Sequence, residues 1–290
     1  MSDKKAIALF AYDRPEMLQE CIRRLMRCPG GADYDWYCFV DGQGLVQKNF
    51  YQEDYPDIKF VIREYRVGLN ANILLAFRSL FENYKYDFIL YVEDDVFVAP
   101  DFIRYVEYCH YNFRRDDTFT VSGFGRKFFP EKYKSNQVIK LFWYHPWGNL
   151  IHQVDYDLFK EGIDEYIASP FDYMMGLGEQ LKVKCPSHYE KEYKNDTVQF
   201  GIDNPHLRKI INFTQDCYLN AIRALNYKYQ LMPCHSRTQN AGFYGQHQQA
   251  QYNGEDLSLP ETHRLSCHAT DSFYEGYEWE SLELLDEIQT

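Results

Sequence analysis

Between residues 6 and 109 the chain alternates short apolar runs with stretches whose apolar residues recur three and four apart. Ala6–Ala11 reads as a buried strand. Pro15 then suits the first turn of a helix, where a missing N–H costs no hydrogen bond. Met17, Leu18, Cys21, Ile22 and Leu25 follow at helical spacing. Trp36–Val40 and Lys59–Ile62 read as the second and third strands, and Ile73, Leu74, Phe77, Leu80 and Phe81 mark the next helix. Phe88–Val92 is a fourth strand. Pro100 opens a helix with Phe102, Tyr105, Val106 and Cys109 on one face. Strands that alternate with helices at these lengths are joined by crossovers, which make them parallel. The expected fold class is α/β, a central, mostly parallel sheet flanked by helices.

Such sheets bind ligands beyond the carboxyl ends of their strands. The informative polar residues fall there: Tyr12 to Arg14, Asp41, Arg63 to Gly68, and the triplet Glu93-Asp94-Asp95. Adjacent carboxylates repel one another unless a cation compensates. The sequence places no cationic partner beside these three. Mg²⁺ and Mn²⁺ take oxygen ligands, often one or two carboxylates plus the phosphates of a substrate. The bland alternative is an acidic turn before a helix, where the dipole favours carboxylates; the strand running straight into the triplet favours the metal.

Asp216 follows Thr214, a side chain suited to cap a helix whose buried face is Tyr218, Leu219, Ile222 and Leu225. By its residues alone Asp216 reads as an acid placed by the helix dipole. Gly123-Phe124-Gly125 lacks the third glycine of a phosphate fingerprint. His145, His152, His188 and His206 have no metal-ligand spacing.

The second half is less regular. Phe119–Phe124 and Val138–Tyr144 read as strands, Val154–Ile167 and Gln215–Leu225 as helices. From Gly245 onward the chain is rich in Gln, Gly and acids, and reads as loop and tail. The formal charge of −12 discourages a surface that coats nucleic acid, which needs clustered Lys and Arg. The stretch Arg126, Lys127, Lys132, Lys134 and Lys140 is the one local exception of note. Aromatic residues make up 18% of the chain, 26 of them Tyr, whose flat face and polar tip suit sugar-binding clefts. No run approaches the roughly 18 apolar residues of a membrane span. Eight cysteines are present without a C-x-x-C pair or zinc spacing. With no secretory signal either, the chain reads as cytoplasmic with free thiols.

The stretch Tyr91-Val92-Glu93-Asp94-Asp95-Val96-Phe97-Val98-Ala99-Pro100-Asp101-Phe102 resembles the metal-binding segment of the N-acetylglucosaminyltransferase I family. Those are inverting enzymes with the two-lobed fold called GT-A. The similarity continues at Ala11-Tyr12-Asp13-Arg14, Asp41, Arg63-Glu64-Tyr65-Arg66, Trp147-Gly148, Ser236-Arg237-Thr238, Gly242 and His247. It implies a GT-A-type nucleotide-diphospho-sugar transferase fold. Residues 1–120 would form the nucleotide-sugar-binding lobe, 121–250 the acceptor-binding and catalytic lobe, and 251–290 an acidic C-terminal tail or extension.

The resemblance also implies roles. Arg14 would contact the nucleotide, Asp41 the uracil ring, and Asp94 the ribose or sugar, with Arg63 and Glu93 completing the donor site. Asp95 would hold Mn²⁺ or Mg²⁺, and His247 would be a C-terminal metal or phosphate contact. Asp216 matches the catalytic base, which reverses its bland reading. The sequence departs from the family at Glu64, where a histidine is usual, and at Gln215-Asp216, where paired acids stand. The membrane anchor and stem of the eukaryotic members are expected to be missing.

The implied activity is metal-dependent, inverting transfer of a sugar, hexosyl or N-acetylhexosaminyl, from a UDP donor. The acceptor would be a hydroxyl on a glycan or lipid-linked sugar, in a bacterial cytoplasm or a virus-infected host cell. Two alternatives stand beside it: a phage-type enzyme acting on a modified DNA base, and an inactive nucleotide-sugar-binding module.

Overall fold

A computed structural model of the chain describes residues 3–47, 50, 52–125, 134, 136–190, 214–241 and 282–285. Each apolar run of the first half forms a strand: β1 Lys5–Ala11, β2 Asp35–Val40, β3 Ile58–Ile62 and β4 Phe88–Glu93. β1 pairs in parallel with both β2 and β4, and β2 with β3. The crossovers are α1 Pro15–Met26, with Pro15 at its first turn, and α2 Leu69–Arg78, which continues as a wider turn to Asn83. α3, Phe102–Phe113, follows β4.

The two-residue period of β1 sorts the core. Ala6, Ala8 and Phe10 pack with Ile73, Leu74 and Phe77 of α2 on one face of the sheet. Ile7, Leu9 and Ala11 pack with Leu18, Cys21 and Ile22 of α1 and Phe102, Ile103 and Val106 of α3 on the other. Burial on both faces is why these strands read as continuous apolar runs.

The second half adds β5 Val96–Val98, β6 Thr118–Ser122, β7 Gln137–Leu141, β8 Asn149–His152, β9 Tyr229–Pro233, β10 Thr238–Asn240 and β11 Glu283–Leu285. Nine strands form one sheet in the order β11-β7-β9-β6-β8-β4-β1-β2-β3, and β10 pairs with β5 in a separate ribbon. Within the sheet β8 runs antiparallel to both β4 and β6, and β7 antiparallel to β9; the remaining pairs are parallel. The sheet is therefore mixed but mostly parallel, with helices on both faces. Among the described residues no helix is long and apolar enough to cross a membrane.

Several elements differ from the sequence expectation, for physical reasons. The Val154–Ile167 helix is broken into Gln153–Tyr156, a tight turn at Lys160–Gly162, and α4 Ile163–Ala168. Gly162 ends that turn, and a Cβ there would stand 2.0 Å from the Tyr173 hydroxyl. The long helix α5, Pro170–Lys184, escapes sequence reading altogether. Its buried positions Met174, Leu177, Gly178 and Leu181 keep helical spacing, but exposed Phe171, Met175 and Val183 blur the pattern. α6, Gln215–Leu225, forms as expected. Part of the acidic C-terminal stretch, Glu283–Leu285, joins the sheet edge in parallel with β7.

Gly123 and Gly148 serve packing. Gly123 N donates to Gly148 O at 2.8 Å, and a Cβ on Gly123 would stand 2.3 Å from Phe102 Cε2 and 2.7 Å from Thr238 Cγ2. Gly123→Ala should therefore cost about 1–3 kcal/mol of stability in urea unfolding. Gly176→Ala is the control, because it meets nothing within 4 Å in the middle of α5 and replaces the poorer helix former. It should be neutral or stabilising, and an equal loss in both variants would refute this account of Gly123.

Candidate active site

Parallel pairing lines up the carboxyl ends of four strands. The ladder continues one step past them, with Asp94 N donating to Phe10 O at 2.9 Å, Asp41 N to Ala11 O at 2.9 Å and Arg63 N to Val40 O at 3.1 Å. Arg14, Asp41, Arg63 and the acidic triplet are thereby brought to one edge, as the sequence predicts.

Arg14 stands just before α1 and spans two of the three acids. Its Nη2 and Nε donate to Asp94, the latter at 3.4 Å, and its Nη1 donates to Asp95 Oδ2 at 2.9 Å. This corrects the expectation that the triplet lacks a cationic partner: the partner arrives through the fold, eighty residues earlier in the chain. Burial works against the charge on Arg14, but Asp95 and Asp94 outweigh it and hold the guanidinium more firmly protonated than usual.

Asp41 is only 3% exposed and accepts N–H bonds from Val67 at 2.7 Å and Gly68 at 3.0 Å. It thus anchors the start of α2, where Gly68 takes a positive φ of 91°. Arg66 lies 3.7 Å from the Asp41 carboxylate and 4.2 Å above the Tyr12 ring. Arg63 donates to Asn72 Oδ1 at 2.7 Å, and burial lowers its pKa.

The acids gather on the other side of the triplet. Thr214 caps α6 by accepting from Cys217 N at 3.4 Å, and Gln215 N donates to Asn70 Oδ1 at 3.0 Å, docking the start of α6 on the start of α2. Asp216 accepts a hydrogen bond from Gln215 Nε2. Desolvation pushes the Asp216 carboxyl up to about 7, with that hydrogen bond opposing. Glu93 is pushed well above the carboxylate range, first by burial and then by the charges of Asp95, Asp216 and Asp94. Asp94 rises to about 7 because burial exceeds the pull of Arg14. Among the described residues, Arg14 thus serves two of these four neighbouring carboxyls, an excess of acid that protons or a cation must meet.

Tyr91 and Tyr144 are buried beside these acids and were missed by sequence reasoning. Their hydroxyls hydrogen-bond each other, and Asn149 Nδ2 donates to Tyr91 Oη at 3.2 Å. Both phenols are raised, mainly by burial and in part by the Asp216 charge. Nothing in the sequence separates these two from the other tyrosines.

Among the described residues no three His, Cys, Asp or Glu side chains form a ready-made metal cage. A site for Mg²⁺ or Mn²⁺ does not require one, since substrate phosphates and water commonly supply most ligands. Two features fit such a cation: the excess of carboxyls around Arg14, and Gln215 Oε1, a buried acceptor without a hydrogen-bond partner. His247 lies outside the described residues. The described chain reaches Ala241, whose N–H donates to Asp95 O at 2.7 Å.

Other candidates fall away. His152 stacks on His110 at 5.5 Å at the far end of β8, and burial lowers the pKa of both. His188 is buried, its pKa lowered to about 3 by desolvation and then Arg223. Within the basic stretch Lys140 is ion-paired with Asp117 and lies 4.4 Å over the Tyr229 ring. Arg126, Lys127, Lys132 and His206 lie outside the described residues.

No family model matches the chain, and no curated protein matches it in sequence. Among solved structures it is similar to a mannosyltransferase, PcManGT from Pyrobaculum calidifontis, in complex with GDP-Man and Mn²⁺. The TM-score is 0.43 at 11% identity, over 78% of this chain and 73% of that one.

The raised Asp216 carboxyl gives a pH test. Its folded pKa of about 7 lies well above the usual aspartate value. The native state therefore binds the extra proton in that window, and its stability falls as pH rises through it. Asp216→Asn cannot ionise and should escape the loss. In chelator-treated protein, its stability relative to wild type should grow by roughly 1–3 kcal/mol between about pH 4 and pH 7.5 in urea unfolding. A pH-independent difference would show that Asp216 titrates normally.

Proposed function

We propose that this protein is a metal-dependent, inverting glycosyltransferase of GT-A type, akin to the N-acetylglucosaminyltransferase I family. It would move a hexosyl or N-acetylhexosaminyl group from a UDP donor to a hydroxyl of a glycan or lipid-linked sugar. The observation that carries this reading is the convergence of Glu93, Asp94 and Asp95, at the end of β4, with Asp216, at the start of α6. They meet on the sheet edge that also holds Arg14, Asp41 and Arg63.

In this reading residues 1–120 bind the donor and 121–250 the acceptor. Asp95 would hold Mn²⁺ or Mg²⁺, with His247 as a further contact; when bound, the ion neutralises charge on the departing diphosphate. Arg14 keeps Asp94 and Asp95 in place and reaches the nucleotide edge. Asp41 and Arg63 shape the base and ribose pocket, with Asp41 also holding the loop before α2. Asp216 takes the acceptor proton as the acceptor oxygen bonds to the anomeric carbon and the bond to the diphosphate breaks. A carboxyl with a pKa near neutrality suits that task better than an ordinary aspartate. The raised acids also favour an enzyme over an inactive binding module. Lys140, engaged with Asp117, lends no support to action on a modified DNA base.

Two variants test the reading. Asp95→Ala should abolish the Mn²⁺-dependent thermal stabilisation by a UDP-sugar while the metal-free melting temperature stays close to wild type. Unchanged metal-dependent stabilisation would sink the assignment of Asp95. Asp216→Asn keeps the side chain's shape and should bind donor and Mn²⁺ as wild type does, yet transfer about 10² to 10⁴ more slowly. Wild-type product should show inverted anomeric configuration by NMR. Near-normal transfer by Asp216→Asn, or a product of retained configuration, excludes Asp216 as the base of a single displacement.

A further inference from the structure

We infer that Phe124, Trp143, His145 and Trp147 form a stacking platform for a neutral pyranose ring of the acceptor. This rests on the glycosyltransferase reading and names the substrate class of its second half-site.

Strand register locates the platform. Trp147 stands two residues before Asn149, which pairs with Tyr91, itself two residues before Glu93. Phe124 follows Gly123, which is bonded to Gly148 at 2.8 Å. The rings therefore stand at the same end of adjoining strands as the acidic triplet, on the side away from Arg14 and Asp41.

The four side chains are half-buried and mutually packed. Phe124 and His145 stack with centroids 3.8 Å apart, and Trp147 meets both edge-on at 5.0 and 4.4 Å. Trp143 lies 5.2 Å from His145. Tyr144, between them in sequence, turns inward to Tyr91, so one short segment contributes both to the acid pocket and to the platform.

That segment is clamped by buried polar groups. His145 N donates to Gln230 Oε1 at 2.8 Å, and His145 O accepts from Asn149 Nδ2 at 2.7 Å and Gln230 Nε2 at 3.0 Å. Trp147 O accepts from the Thr238 hydroxyl at 3.3 Å. Gln230 and Asn149 are wholly buried, and burying amides is costly unless they are fully bonded. Holding the backbone this way preorganises the rings that it carries.

Ligand chemistry follows from what the platform offers. Its rings are flat and half-buried, and Phe and Trp carry no charge. A pyranose presents an apolar C–H face to such rings and hydroxyls around its rim. A flipped nucleobase also stacks on aromatic side chains, and the nucleoside probe below tells the two ligands apart.

The full chain with Mn²⁺ and UDP should be titrated with methyl glucoside, galactoside and mannoside, reading tryptophan fluorescence and saturation-transfer NMR. myo-Inositol serves as a ringed polyol control and 5-hydroxymethyl-2′-deoxycytidine as the base probe. At least one pyranoside should bind saturably, and neither myo-inositol nor the nucleoside should. Trp147→Leu should weaken that binding about tenfold or more, as expected for loss of one stacked ring. Its Mn²⁺-dependent stabilisation by UDP should persist, and Trp143→Leu is the second variant should Trp147→Leu fail to fold.

If wild type binds UDP with Mn²⁺ but no pyranoside, or takes the nucleoside in its place, the platform is overturned and the glycosyltransferase reading stands. If it binds a pyranoside but no nucleotide, that reading falls and the platform survives. Pyranoside affinity undiminished in the folded variants also overturns the proposal.

Discussion

The site depends on the contact of Arg14 with Asp94 and Asp95. Three consecutive carboxylates at a strand end are unstable alone, and Asp94 is almost completely buried. The guanidinium can serve both acids because its donors fan out in a plane, which a lysine could not reproduce. It is placed there by the parallel pairing of β1 and β4, which brings the β1–α1 loop beside the triplet. The contact leaves Glu93 without a direct partner in Arg14, and Glu93 is the acid whose carboxyl is raised in part by Asp216. One arginine thus divides the triplet into a neutralised part and a part that stays electrostatically open.

An aspartate in the first turn of a helix is ordinarily held in its charged form, yet the Asp216 carboxyl is raised. The dipole at the start of α6 and the Gln215 amide both favour the charged form of Asp216. Desolvation outweighs them, and the buried Tyr91 and Tyr144 phenols lie near enough to feel the Asp216 charge. The bland reading of Asp216 correctly places it on the helix. It lacks the surroundings, which come from β4 and from the segment before β8.

The legibility of the fold follows the same divide. The α/β half was readable because strands buried on both faces are continuous apolar runs, and amphipathic helices separate them. β8 and β9 went unread because their cores include Asn149 and Gln230, polar residues buried by hydrogen-bonding to each other and to backbone, whereas β6 was readable at Phe119–Phe124. Such a network has no period. Arg14, Asp41, Arg63 and the triplet were legible as strand-end residues, although the partner of each was not. The Arg14–Asp94 contact spans eighty residues, and no local pattern encodes it.

The reversal of strand direction at β4 gives the sheet edge two characters. On one side β1, β2 and β3 run parallel to β4, so the edge there consists of loops that enter helices and carry Arg14, Asp41, Arg63 and Arg66. On the other side β8 runs antiparallel, so the same edge is where that strand begins, and it carries Trp147 and the clamp around His145. Helix starts and charged loops suit phosphate; a rigid aromatic turn suits a neutral ring. Glu93, Asp94 and Asp95 lie on the last strand of the parallel run, at the boundary between the two. A group transferred between an anionic donor and an uncharged acceptor would have to cross that boundary, and Asp216 stands over it from the opposite layer.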